Sequence, residues 1–104
     1  MGDEKLLKEI GLRINARRRA LSMTQERLAE IMDVSIQMIS NLELGKKAVR
    51  PENLVKLCFA LDVSADYILR GTRAEWEFDL LLKKYSTLSK EKQDLLDKII
   101  DSWL

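Results

Sequence analysis

The sequence predicts an all-α protein. Only one proline and four glycines interrupt the 104 residues, and runs of β-branched residues with a period of two, which would mark strands, are missing. Apolar residues instead recur at intervals of three and four, the spacing of one helical face. Because a chain of this length can bury a core without cross-links, we expect one compact helical domain with an appended element.

The first predicted helix covers residues 3–21 and the second residues 25–32. Thr24 is a suitable N-cap for the second helix, because its hydroxyl oxygen can accept a bond from a free backbone N–H. We expect the inward side chains of these two helices to be Leu6, Leu7, Ile10, Ile14, Leu21, Leu28, Ile31 and Met32.

Three further helices are predicted before residue 72. The third follows Ser35, an N-cap residue, and ends before Gly45, which favours the backbone of a helix end. Pro51 suits the first turn of the fourth helix. Ser64 is the N-cap candidate of a short fifth helix, residues 65–69, which Gly71 ends. The expected inward residues are Ile39, Leu42, Leu54, Leu57, Cys58 and Leu61.

Beyond Arg73 the pattern changes, and we place a boundary between residues 1–73 and a C-terminal extension, residues 74–104. Two more helices are predicted there, and Ser89 is the N-cap candidate of the second. Their apolar residues are Trp76, Leu80, Leu81 and Tyr85, followed by Leu95, Leu96, Ile99, Ile100, Trp103 and Leu104.

Charge and cysteine content limit the functional classes. Residues 1–73 hold 13 Lys or Arg against 10 Asp or Glu, while the extension holds 5 against 7, which favours an anionic partner for the first part. Cys58 has no second cysteine to pair with and lies in an apolar run, so we expect a small buried hydrophobe in a reducing compartment. No signal peptide or membrane span is apparent, so a cytoplasmic protein is expected.

Residues 24–44 carry two short helices joined by a tight turn, which is the helix-turn-helix arrangement. Ala29 falls where the two helices cross, and Val34 fills the turn. With Ile39 and Leu42 turned inward, helical geometry leaves a set of outer and flanking residues on the second of these helices. They are Ile36, Gln37, Ser40, Asn41 and Leu44.

This outer set has the chemistry of a reader of base edges. The amides of Gln37 and Asn41 offer a donor and an acceptor each, which suits adenine in the major groove, and Ile36 can meet a thymine methyl group. Gln25 begins a helix whose free N–H groups can bind a phosphate. Basic residues in the following loop could hold the same backbone: Lys46, Lys47 and Arg50.

These residues resemble a known family, the lambda-repressor-like, Cro-type or xenobiotic-response-element (XRE) helix-turn-helix regulators of bacteria and phages. The similarity spans about sixty residues, from Ile10 to Gly71. It is carried by "IGLRI" at residues 10–14, Arg18, "TQERLAEIMDVSIQMISNLELG" at 24–45 and "RPENLVKLCFALDVSADYILRG" at 50–71.

The resemblance implies a sequence-specific regulator of double-stranded DNA, most simply a repressor, with neither cofactor nor metal. It implies that Gln25 clamps a phosphate and that Lys46 and Lys47 lie near the DNA backbone. It also implies an ion pair between Arg18 and Glu43. The implied major-groove residues are Ser35, Ile36, Gln37 and Asn41.

Three positions depart from the family pattern. Ser22 and Asp33 stand where glycine is frequent, and Asp33 can adopt a left-handed conformation at some cost. Arg17 stands where the family tends to place a larger apolar residue. None of the three is expected to break the fold.

The apolar stripe of the extension needs a partner. A two-fold homodimer on a palindromic operator is favoured, since two domains would read half-sites about one DNA turn apart. The dimerisation candidates are Trp76, Leu80, Leu95, Leu96, Ile99, Ile100 and Trp103.

Other occupants of that stripe stay open. The extension could fold back on its own domain, or Trp76, Phe78 and Trp103 could form an effector pocket. A toxin could also bind the stripe, in which case the protein is an antitoxin that represses its own operon. A further alternative is a domain that keeps the fold, has lost DNA binding and serves only as an assembly module. An enzyme is disfavoured, because the chain has no histidine and no evident acid–base pair in a cleft.

Overall fold

The computed structural model describes the backbone of residues 2–103 and the side chains of residues 3–72, 78 and 80–103. Within these residues all regular structure is helical, which confirms the predicted fold class. The helices are α1 (Gly2–Ala20), α2 (Gln25–Met32), α3 (Ile36–Glu43), α4 (Pro51–Leu61), α5 (Ala65–Arg70), α6 (Arg73–Ser86) and α7 (Lys90–Trp103).

The chain divides into two compact units, Met1–Gly71 and Thr72–Leu104. The predicted boundary lies two residues later, after Arg73. None of the described helices is long and apolar enough to cross a lipid bilayer.

Serine and threonine caps fix where the helices begin. The hydroxyl oxygens of Thr24, Ser35 and Ser64 each accept a hydrogen bond from the backbone N–H three residues ahead, at 3.0 Å in all three cases. Ser89 does the same for Lys92 at 3.3 Å. The four predicted N-caps are therefore confirmed, and each satisfies a donor that the helix leaves free.

The first, second and fourth helices each end at a residue with a left-handed backbone conformation, and none of these three residues is glycine. Ser22 and Asp33 both have φ of 55°, and Asp62 has φ of 52°. At Ser22 and Asp33 the chain adopts the conformation for which the family often uses glycine. Apart from glycine, aspartate and asparagine adopt this conformation at the smallest cost, because their short polar side chains can bond locally, which fits Asp33 and Asp62.

The core of the first unit joins all five of its helices. Its fully buried side chains include Ile14, Leu28 and Ile39, and Val34 packs against them from the turn. Ala29 is 3% exposed, as expected for the crossing of α2 and α3. The other buried apolar residues are Ile10, Met32, Leu42, Leu57, Leu61 and Ile68.

Four expectations about inward residues are wrong in whole or in part. Ile31 is 44% exposed, because at 100° per residue it stands a quarter-turn away from Met32, around which the buried face of α2 is centred. Leu6 is 45% exposed near the N-terminus of α1, and Leu21 is 39% exposed just beyond the end of that helix. Cys58 is only half-buried.

Arg17 has a structural role that explains its departure from the family pattern. Its Nε donates to the backbone carbonyl of Leu61, at the C-terminus of α4, over 2.8 Å. Arg13 does the same for Ile68 in α5, at 3.2 Å. Cations are favoured at helix C-termini, so α1 holds two neighbouring helices by their carbonyl ends.

The second unit contains α6 and α7, which are linked by hydrogen bonds of Tyr85 near their connecting turn. The hydroxyl of Tyr85 donates to the Asp97 carboxylate at 3.0 Å, and Gln93 Nε2 donates to the Tyr85 carbonyl at 3.0 Å. No residue of α7 is buried, and Leu96 is half-buried. The exposed apolar side chains of the unit are Phe78, Leu80, Leu81, Leu82, Leu95, Ile99, Ile100 and Trp103; the side chains of Trp76 and Leu104 lie outside the described residues.

Candidate nucleic-acid interface

The outer face of α3 carries the predicted base-reading residues. Ile39 and Leu42 are buried at 0% and 2% exposure, which turns Gln37 and Ile36 outward; Ile36 is 49% exposed. Ser40 and Asn41 are half-buried on the flank, and Leu44 is 56% exposed just after the helix. The face is therefore neutral, partly apolar and open.

Gln37 and Asn41 are linked across one helical turn. Gln37 Nε2 donates to Asn41 Oδ1 at 3.0 Å, as side chains four residues apart can. A primary amide has two donors and one acceptor with two lone pairs. Gln37 therefore keeps its carbonyl oxygen and one N–H, which is the pair of groups that an adenine edge requires.

A cleft of about 310 Å³ lies beside α3 and brings together four of the predicted contact residues. These are Ser35, Asn41, Lys47 and Arg50. Ser35 accepts the cap bond from Met38, and its hydroxyl hydrogen can still be donated to a ligand. The same cleft is lined by Met38, Leu42, Ala48 and Asn53.

Asn53 is a member of this cleft that was not predicted from the sequence. It is 8% exposed, and its Nδ2 lies 3.6 Å from the Met38 sulfur. Its place in the first turn of α4, two residues after Pro51, is the only signal in the sequence that could have indicated this role.

The loop after α3 carries Lys46, Lys47 and Arg50, and its first residues are hydrogen-bonded to the end of that helix. Gly45 has φ of 72°, and the bonds from Gly45 N to Leu42 O and from Lys46 N to Asn41 O form a Schellman motif. A Cβ on Gly45 would stand 2.8 Å from the Lys8 backbone, so glycine lets the loop lie on α1. Lys46 and Lys47 are exposed there.

Arg50 is exposed and has a weak partner. Its Nη1 lies 3.8 Å from the Glu52 carboxylate. An exposed pair at this distance contributes little. The guanidinium group can therefore exchange Glu52 for a phosphate at small cost.

A buried polar network stands behind the N-terminus of α2. Arg18 Nε and Nη2 donate to Glu43 at 2.7 and 3.0 Å. Asn15 Nδ2 donates to the same carboxylate at 2.6 Å and Gln25 Nε2 at 3.2 Å. The structure thus brings the implied pair together and adds Asn15, which was not predicted because its link to Glu43 is between distant parts of the chain.

In this network Arg18 and Glu43 each stabilise the ionised form of the other. Burial alone would raise the pKa of Glu43, but the hydrogen bonds from Arg18, Asn15 and Gln25 and the nearby guanidinium charge lower it below the ordinary value. The hydrogen bond to Glu43 raises the pKa of Arg18. Both side chains are thus charged around neutral pH. Among the described residues, no group of three His, Cys, Asp or Glu could hold a metal ion.

The chain matches a known sequence family and several regulators. Residues 14–68 match the family model described as helix-turn-helix. The transcriptional repressor RstR of the cryptic phage CTXphi, from Vibrio cholerae, is 31% identical over 94 residues, covering 88% of this chain and 84% of the relative. A prophage-derived helix-turn-helix regulator of Bacillus subtilis, YonR, is 32% identical over 78 residues, 75% of this chain and 72% of that protein.

Solved structures with the same fold include regulators and a DNA complex. The P22 c2 repressor in complex with a synthetic operator has a TM-score of 0.59 and 40% identity, over 61% of this chain and 96% of that one. The restriction-modification controller protein C.AhdI of Aeromonas hydrophila has a TM-score of 0.58 and 29% identity, over 60% and 94%. The chain belongs to the lambda-repressor-like, XRE-type helix-turn-helix family of DNA-binding transcriptional regulators, which are not enzymes.

Proposed function

We propose that this protein is a sequence-specific repressor that inserts α3 into the major groove of its operator. The observation that carries the proposal is the outer face of α3, where an exposed isoleucine and two linked amides stand opposite a fully buried anchor. Surface helices that only face water more often carry Lys and Glu. Neutral amides and a methyl-bearing side chain can approach base edges closely and discriminate among them.

Affinity and sequence choice are assigned to different residues. Gln37, Asn41 and Ile36 read bases, with Ser40 on the flank. Cations supply binding that is independent of sequence, because each phosphate they neutralise releases counterions. The residues proposed to contact phosphates are Gln25, Lys46, Lys47 and Arg50, while Ser35 is proposed to face the major groove beside the base readers.

The second unit is proposed to make the protein a homodimer. In α7, Leu95, Ile99 and Trp103 are 61%, 49% and 86% exposed, on one helical face. An uncovered stripe of this kind marks an interaction surface, and a two-fold dimer would align two reading helices with a palindromic operator. A chain that stays monomeric in solution would instead favour a different occupant, such as the toxin of the antitoxin alternative.

Selection of bound sequences from random duplexes tests the proposal. We expect one enriched motif with two-fold symmetry and half-sites about one helical turn apart. The selected site, placed across a promoter, should lower reporter expression when the protein is present. The proposal fails if no motif is enriched at moderate salt, and its repressor part fails if expression rises.

A further inference from the structure

The Glu43 carboxylate has more donors than its ion pair requires. Its Oε1 accepts from Arg18 Nη2, Asn15 Nδ2 and Gln25 Nε2. Arg18 also donates to the backbone carbonyl of Met23, at 2.7 Å. The buried pair of Arg18 and Glu43 therefore joins α1, the loop before α2, the first residue of α2 and the last residue of α3.

This contact fixes the orientation of the Gln25 amide. A carboxylate of depressed pKa can only accept hydrogen bonds, so the amide nitrogen of Gln25 must face Glu43. The second N–H and the carbonyl oxygen of Gln25 are left for a ligand. Gln25 is half-exposed and begins α2, where free backbone N–H groups favour an anion.

The neighbouring charges decide whether an anion is tolerated there. An unpaired carboxylate behind the start of α2 would repel a phosphate. Arg18 donates twice to that carboxylate and lies 7% exposed beside it, so the pair presents little net charge to the surface. The Glu43 contact can hold Gln25 without opposing a phosphate.

We propose that Glu43 is a positioning residue for DNA binding. It holds the Gln25 amide in one orientation before DNA binds. The entropic cost of ordering this side chain therefore does not reduce the affinity for a phosphate. The inference rests on the proposed function, since it assigns Gln25 to a phosphate contact. The ligand is the phosphodiester backbone, independent of base sequence.

A double-mutant cycle in two backgrounds tests this. Arg18→Met with Glu43→Leu removes the acceptor of Gln25 while replacing the buried ion pair by apolar residues, an exchange that proteins often tolerate. In the natural background, Gln25→Ala should weaken binding to the selected operator about tenfold, as loss of one hydrogen bond to a charged group does. In the double-variant background the same change should cost about threefold or less.

A second readout concerns the free protein. In NMR spectra, the side-chain N–H protons of Gln25 should show contacts to Glu43 and slow exchange in the natural protein, and lose both in the Arg18→Met, Glu43→Leu variant. Thermal unfolding of each variant checks that the domain is folded. If the double variant does not fold, a second apolar pair, Arg18→Leu with Glu43→Met, takes its place in the cycle, because neither side chain offers Gln25 an oxygen acceptor.

The outcomes separate the two proposals. Equal costs of Gln25→Ala in both backgrounds overturn the positioning role. Normal operator binding after Gln25→Ala also overturns it and removes Gln25 from the proposed phosphate contacts, while sequence-specific repression by α3 stands. A natural protein that prefers no duplex overturns the proposed function itself.

Discussion

Arg18 and Glu43 form a buried ion pair, with Arg18 Nε 2.7 Å from Glu43 Oε2 and each residue 7% exposed. The pair joins α1 to the end of α3, so the helix proposed to enter the groove is held at its C-terminus by a charge contact. Its anchor on the apolar side is Ile39 and Leu42. The angle of α3 to the rest of the domain therefore depends on both.

Removing one member of this pair should strongly destabilise the folded domain. We expect Arg18→Met alone to lower the free energy of unfolding by about 3–5 kcal/mol, because it leaves a buried carboxylate without its counter-charge. Urea unfolding followed by circular dichroism measures this. Arg27→Met, at an exposed arginine of α2, is the control and should change stability by no more than about 0.5 kcal/mol. Similar effects of the two changes would contradict a structural role for the pair.

Acid should weaken the domain through Glu43. Its pKa is lower in the folded protein than the ordinary 4.5, so the folded state binds this proton less well than the unfolded chain. The resulting stabilisation is fully present above about pH 4.5 and is lost as the pH falls through the lower, folded-state pKa. Unfolding free energies measured from pH 6 downwards should show this loss, and the Arg18→Met, Glu43→Leu variant should show less of it. The same acid dependence in both proteins would exclude Glu43 as its source.

Gly11 lies where α1 touches α3. A Cβ at this position would meet the backbone carbonyl oxygens of Leu42, at 2.5 Å, and Glu43. We expect Gly11→Ala to destabilise the domain by about 1–3 kcal/mol, although alanine favours helices. Thermal unfolding measures the change. Ala16→Gly, at an exposed position of the same helix, should cost only the helix propensity, about 1 kcal/mol. A more stable Gly11→Ala variant would show that the two helices can separate freely.

Base readers and phosphate contacts should respond differently to mutation. Gln37→Ala should reduce discrimination at one base position by about 1–3 kcal/mol. Lys47→Ala should instead weaken binding to all duplexes and reduce the salt slope by about one. Binding to the operator, to point variants of it and to random DNA over a range of salt concentrations separates the two effects. Equal losses on specific and random DNA for both variants would contradict the division of roles.

The apolar face of α7 should control oligomeric state. Leu95→Asp with Ile99→Asp should convert a dimer to a monomer and weaken operator binding, since burying two carboxylates in an apolar interface is unfavourable. Lys98→Asp adds the same group on the polar side of α7 and should leave the dimer intact. Sedimentation velocity checks both variants. A natural protein that sediments as a monomer at all concentrations would remove the dimer from the proposal.

Local features of the fold were predictable because their physics is local. Helical periodicity, four hydroxyl caps, Pro51 and the glycines at residues 45 and 71 identify helix positions to within a residue or two, since each acts through backbone hydrogen bonds a few residues away. The same periodicity placed Ile39 and Leu42 inside and Gln37 outside. The helix-turn-helix pattern is therefore visible in the amino-acid sequence by itself.

Tertiary structure alone decided which side chains meet across the chain. Ile31 is apolar and in register, yet it lies exposed because the neighbours of α2 cover only the face around Met32. Asn15 and Gln25 are ten residues apart, yet both donate to the Glu43 carboxylate, because the packing of α1 and α2 brings them to the end of α3. How much of an apolar stripe is covered, and which distant side chains form hydrogen bonds, depends on how whole helices pack, and periodicity within one helix does not specify either.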